Sequence, residues 1–163
     1  MNRILIAYAT KYGCTEKCAG MLADKLYQMG QQADLCNLKS GASINLQNYD
    51  KILIGGSIYA GRIQKEVSVF CSGNRNALVM KKLGFFICGL SEGETAEKQL
   101  ETCFPQELLS RASARENFGS QLIFEKMNFM ERMIIKKITK KDSDYSNILE
   151  ANIDRFAQVM SEA

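Results

Sequence analysis

The chain contains no histidine. That excludes Ser-His-Asp and Cys-His catalysis and leaves acid–base work to Asp, Glu, Lys, Tyr or a cofactor. Its six cysteines (Cys14, Cys18, Cys36, Cys71, Cys88, Cys103) form no C-x-x-C pair. Zinc sites of the usual Cys/His spacing are therefore not expected, and no metal ligand is assigned. A disulfide framework is not expected in a chain of 163 residues with cytosolic character, so the thiols read as buried or half-buried side chains. Long apolar runs are missing too. No stretch could cross a bilayer, and the opening MNRILIAYAT lacks the form of a signal peptide. Proline occurs once, at Pro105. The net charge of +3 is too mild to indicate nucleic acid. A cytoplasmic chain is the expectation.

What is present is alternation. Arg3–Tyr8 is a nearly continuous apolar run, as expected of a strand buried on both faces. Cys18, Leu22, Leu26 and Met29 then recur at helical spacing, and Gly30 ends the helix. Further strands are expected at 33–38, 51–57, 83–88 and, more weakly, 114–122. Helices are expected at 65–78 (with Val67, Phe70 and Cys71 on one face) and 95–104. A final helix over 147–160 would bury Ile148, Ile153, Phe156 and Val159. Strands alternating with helices predict one α/β domain over 1–163, a doubly wound parallel sheet with helices on both faces. Residues 122–146 exceed what five strands need. There Met127, Met130, Ile134 and Ile138 fall at helical spacing beside Lys136, Lys137, Lys140 and Lys141. This stretch reads either as a surface helix packing its apolar stripe on the domain or as a docking surface for an acidic partner or a membrane.

Ligands of such sheets bind beyond the carboxyl ends of the strands. Three loops there combine Gly with Ser or Thr: Thr10–Thr15, Gly55–Gly61 and Gly89–Glu94. The first opens a helix, where free amides and the dipole favour an anion, and Thr10, Gly13 and Thr15 suit a phosphate monoester. Other phosphate loops are excluded. The patterns G-x-x-x-x-G-K-[ST] and G-x-G-x-x-G are absent, and a C-x5-R loop would need arginine where Gly20 stands. The second loop, GGSIYAG, offers the aromatic face of Tyr59 to a flat ligand.

On YATKYGCTEKCA and YDKILIGGSIYAGRI the chain resembles the flavodoxin-like FMN proteins, whose phosphate loop runs T/S-x-x-G-x-T. The G-x-S-I-x-x-G stretch and the basic, aliphatic MNFMERMIIKKITKK are similar to the oxygen-independent, flavodoxin-type protoporphyrinogen oxidases. The run of aromatic and arginine residues expected in that subfamily is missing here. The resemblance implies a five-stranded sheet of order 2-1-3-4-5 and FMN as cofactor. Thr10, Lys11, Tyr12, Gly13, Cys14 and Thr15 would hold the phosphate. Ser57, Ile58, Tyr59, Ala60 and Gly61, with Gly89, Leu90 and Ser91, would flank the isoalloxazine, with Tyr59 as the stacking candidate. Lys11 either adds charge near the phosphate or is simply solvated. Cys14 is expected to contribute its backbone amide with a small neutral side chain, because a thiolate beside a phosphate is disfavoured. No side chain is assigned as catalytic, since the flavin carries the electrons.

Two functions follow. One is an FMN-dependent oxidoreductase acting on a small organic substrate such as a porphyrinogen. The other is a flavodoxin carrying electrons between proteins, against which the mildly basic charge counts. A flavin-free signalling domain would need acidic residues after the first strand, where Tyr8-Ala9-Thr10 stands. Peripheral contact with the inner face of a membrane is expected through 127–141.

Overall fold

The computed structural model describes residues 3–140 and 143–163. Lys141, part of the basic cluster noted above, lies outside the described residues. Five parallel strands form the main sheet: β1 (Arg3–Tyr8), β2 (Gln32–Asn37), β3 (Lys51–Ser57), β4 (Lys82–Cys88) and β5 (Ala112–Asn117). They stand in the order β2-β1-β3-β4-β5. The central strands β1, β3 and β4 carry the continuous apolar runs because both their faces are covered. Edge strand β2 leaves Leu35 exposed.

The core has two halves, one on each face. Helix α1 (Cys14–Gln28) and the last helix α7 (Glu150–Glu162) bury Cys18, Leu22, Leu26, Ile153, Phe156 and Met160 against Ile4, Ile6 and Phe86. On the other face, α2 (Lys65–Gly73), the short α3 (Arg75–Leu78), α4 (Gly93–Cys103) and the short α5 (Gln106–Leu109) cover Leu5, Ile52, Ile54, Leu83 and Phe85. Phe86 and Phe118 stack with ring centroids 4.6 Å apart, and Phe156 meets both edge-on, which binds α7 to the sheet. Lys51 is buried and donates to the Met160 and Ser161 carbonyls at 2.7 and 3.1 Å, fixing the end of α7.

The helix expected over 65–78 breaks at Asn74, whose side-chain amide donates to the Phe70 carbonyl. The larger departure falls after β5. The stretch 114–122 is two strands, not one. Strand β5 ends at Asn117, and a separate β6 (Gly119–Leu122) pairs antiparallel with β7 (Tyr145–Ile148). Gly119 makes the bend. Its φ is +86°, and a Cβ there would lie 2.1 Å from the Asn147 carbonyl oxygen. Ile148 therefore belongs to β7 and not to the last helix, and Met160 takes the core position expected of the half-exposed Val159.

Between β6 and β7 runs α6 (Phe129–Thr139). It opens with a capping box. The Glu131 amide donates to Asn128 Oδ1 at 2.8 Å, and Glu131 Oε1 accepts from the Asn128 amide at 3.2 Å. Of the apolar stripe expected at Met127, Met130, Ile134 and Ile138, only Met127, which precedes the helix, is buried. Ile135 is the residue α6 turns inward, leaving Phe129, Met130, Met133, Ile134 and Ile138 exposed.

Candidate functional site

The three loops named from the sequence meet at the carboxyl end of the sheet. Gly13, with φ +95°, caps α1 without a side-chain bond, so the amides of the first turn, from Cys14 onward, are offered outward. The Gly13 amide donates to Thr10 Oγ1 at 2.9 Å, which curls the loop. Thr15 is fully buried and shares a hydrogen with Ser57, Oγ1 to Oγ 2.6 Å, tying the first loop to the second. The Ser57 amide donates to Gln64 Oε1 and its carbonyl accepts from Gln64 Nε2, which holds the start of the second loop. Ala60 and Gly61, both at positive φ, form its exposed tip. In the third loop, Gly89 donates to the Gly119 carbonyl at 2.8 Å, and the Ser91 hydroxyl and carbonyl accept from Gln99 and Asn117.

Two cations stand at the first loop that sequence reasoning did not assign. A Cβ on Gly13 would lie 3.0 Å from Lys126 Nζ, and Lys39 Nζ donates to the Thr10 carbonyl at 2.9 Å. An outward helix start with ammonium groups beside it is a fit for a phosphate monoester. Lys126 comes from the extra segment, whose basic character was visible although its destination was not.

Lys11 is exposed, as one of its two expected readings has it, and it also makes two contacts that the sequence did not signal. Its ammonium lies 3.8 Å from the centroid of the Tyr59 ring and 3.5 Å from Glu131 Oε2. Tyr12 meets Tyr59 edge-on at 6.2 Å and donates its hydroxyl to the same carboxylate. The carboxylate acceptor and burial push the Tyr12 phenol up, burial most, and the Tyr12 hydroxyl leads the groups that hold Glu131 below the ordinary carboxyl range. One carboxylate thus caps α6 and clasps it to the first loop. Beneath the clasp, Leu122, Phe124, Met127 and Ile135 form a small third core, and Tyr12, Tyr59 and Leu90 pack on it.

These groups border a half-open cavity of about 50 Å³ lined by Ser57, Ile58, Tyr59, Gly89, Leu90, Ser120 of β6 and, from the extra segment, Leu122 and Ile135, among others. Pockets for organic ligands usually measure roughly 300–1,000 Å³. The segment between β6 and β7 narrows the cavity well below that size.

The floor of this cavity is sulfur. Cys14 and Cys88 line it, and Cys18 lies behind them. Hydrogen bonds from Cys18 and Cys88 pull the Cys14 thiol down, while those two thiols are pushed up. The charge argument for a neutral Cys14 thus meets a local effect of opposite sign.

The family model for the flavodoxin domain matches residues 5–148. The chain belongs to the flavodoxin family: it is a flavodoxin-like redox protein, and FMN is the cofactor that membership implies. It is 24% identical over 143 residues to the protoporphyrinogen IX dehydrogenase [quinone] of Escherichia coli K12, covering 85% of this chain and 79% of that protein. The fold matches a short-chain flavodoxin associated with a non-canonical PDU bacterial microcompartment (TM-score 0.65, 15% identity, 99% of this chain and 98% of that one). It also matches two-electron reduced Megasphaera elsdenii flavodoxin (TM-score 0.62, 14% identity, 98% and 99%). Among the described residues, no helix is long and apolar enough to cross a membrane.

Proposed function

We propose that this protein is an FMN-dependent oxidoreductase for a small organic substrate, with a porphyrinogen the class suggested by the relative's name. The observation that carries this reading is the covering segment. A carrier that hands electrons to another protein gains nothing from an apolar cover over its ring site. An enzyme gains a dry compartment in which a small substrate meets the flavin. FMN, when bound, supplies the two-electron chemistry. The chain's own residues bind and orient it. The loop Thr10–Thr15 and the Lys126 ammonium hold the phosphate. The loops Ser57–Gly61 and Gly89–Ser91 flank the ring, with Tyr59 freed for stacking once Lys11 leaves its face. Leu122 and Ile135 exclude water above. Entry of the ring requires the segment between β6 and β7 to swing outward, and the Glu131 clasp sets the cost of that motion.

The outward face of α6 extends the proposal. Phe129, Met130, Met133, Ile134 and Ile138 are exposed, and Lys136 and Lys137 lie on the same short helix, with Lys140 just past its end. That combination suits an anionic bilayer surface, where a lipid-soluble quinone could collect the electrons.

The test is anaerobic turnover by FMN-loaded protein with protoporphyrinogen and a soluble quinone, set against electron transfer to a protein acceptor. Oxidation of the porphyrinogen to porphyrin, with about three quinones reduced per porphyrin formed because each quinone takes up two of the six electrons released, supports the proposal. Reduction of the protein acceptor without any porphyrinogen turnover would make it an electron carrier instead.

A further inference from the structure

Three thiols from two elements converge beneath the flavin site. Cys14 opens α1, Cys18 follows one turn later on the same face, and Cys88 ends β4. They are 7%, 0% and 2% exposed, and their sulfur atoms all lie within 4.8 Å of one another. Among the described residues no other group of three or more metal-ligating side chains is drawn together in this way. The remaining cysteines are apart from it. Cys71 is buried in the opposite half of the core, against which Cys36 and Cys103 pack from partly buried positions.

We propose that Cys14, Cys18 and Cys88 form a three-sulfur site for a soft, thiophilic ion, with Cu(I) the best match. Thiolate sulfur selects soft ions. An ion bound trigonally at about 2.3 Å from each sulfur holds its ligands about 4 Å apart, close to the spacing the fold already provides. A Cys14–Cys18 disulfide is a poorer match. It needs sulfurs about 2 Å apart and Cβ atoms about 3.5–4.5 Å apart, whereas residues one turn apart on a helix keep their Cβ atoms about 5–6 Å apart. The positive end of α1 offsets the charge of the thiolates. Cys14 and Cys88 border the cavity, which gives the ion an entry path. The ion enters as Cu(I), so no electron changes hands, and each ligating thiol releases its proton to solvent. The site lies on the floor of the flavin compartment, where its occupancy would alter the field beneath the ring.

The test uses FMN-loaded protein under argon, competing with bathocuproine disulfonate for Cu(I). One ion per chain should be withdrawn from the chelator, with three sulfur neighbours at about 2.3 Å by X-ray absorption. Cys18→Ser and Cys88→Ser should each weaken binding by more than the roughly 10–100-fold typical of a change behind the ligands, and Cys103→Ser should leave it unchanged. Retained flavin absorbance certifies that each variant is folded. If a variant fails that check, the sulfur count in the unmodified protein decides alone. No withdrawal of copper, equal competition by the folded triad variants, or two-sulfur coordination would overturn the assignment.

Discussion

Replacing Glu131 with Gln should speed FMN uptake. The carboxylate accepts from the Tyr12 hydroxyl and pairs with Lys11 at 3.5 Å, and these contacts hold α6 over the ring site. Glutamine keeps the capping box, since it serves at that position as well as glutamate does. It turns a charge-assisted hydrogen bond into a neutral one, a loss of about 1 kcal/mol. It also removes a part-exposed ion pair worth about 0.5 kcal/mol after screening. Together these shift the closed-to-open balance by about 1.5 kcal/mol, or about tenfold. Uptake that requires the open form should accelerate by the same factor. Stopped-flow quenching of FMN fluorescence on mixing with apo-protein measures it. The pH dependence supplies a second readout. Glu131 is held below its ordinary 4.5, so the clasp contributes fully above that value and is lost as pH falls through the lower folded value. Unmodified protein should therefore accelerate only on acidification below about 4.5, while Glu131→Gln shows no such step. Uptake unchanged or slowed in the variant, with helix content retained, would refute the clasp.

Three other perturbations probe separate parts of the account. Lys126→Ala should weaken FMN about fivefold, from the loss of about 1 kcal/mol of partly screened attraction, and leave riboflavin binding unchanged because riboflavin has no phosphate. Equilibrium fluorescence titration of both ligands checks this, and equal weakening of the two would remove Lys126 from the phosphate site. Gly119→Ala should cost about 1–2 kcal/mol from the left-handed backbone alone, with the clash against Asn147 added. Hydrogen exchange should then show loosening confined to 119–148, and uniform protection would contradict the bend's role. Ile138→Glu should reduce sedimentation with anionic vesicles about tenfold or more, given the roughly 1.5–3 kcal/mol of a buried Ile side chain. Identical sedimentation with neutral and anionic vesicles would remove the membrane from the proposal.

The sheet was legible because doubly buried parallel strands write themselves as apolar runs, and β1, β3 and β4 begin and end within a residue or so of those runs. The turn from β1 into α1 was legible because such a handover has a residue pattern of its own. The split between β5 and β6 was signalled by Gly119 inside an otherwise strand-like stretch, a mark of a bend or close approach that an unbroken reading passes over. The orientation of α6 was not legible. Periodicity defines a stripe but not which side meets the domain, and Ile135 wins because Tyr12, Tyr59 and Leu90 wait beneath it. The sulfur cluster was hidden for a related reason. Spacing rules look for neighbouring cysteines, and Cys88 arrives from another strand.

The most direct test of the central claim is a single turnover. Apo-protein loaded with one equivalent of FMN, mixed under argon with excess protoporphyrinogen and no quinone, should lose the oxidised flavin band completely as one two-electron step of the porphyrinogen oxidation takes place, and excess quinone should then restore the band and let porphyrin absorbance rise over the remaining steps. A band that persists while the same protein is readily reduced by a partner protein would contradict the account.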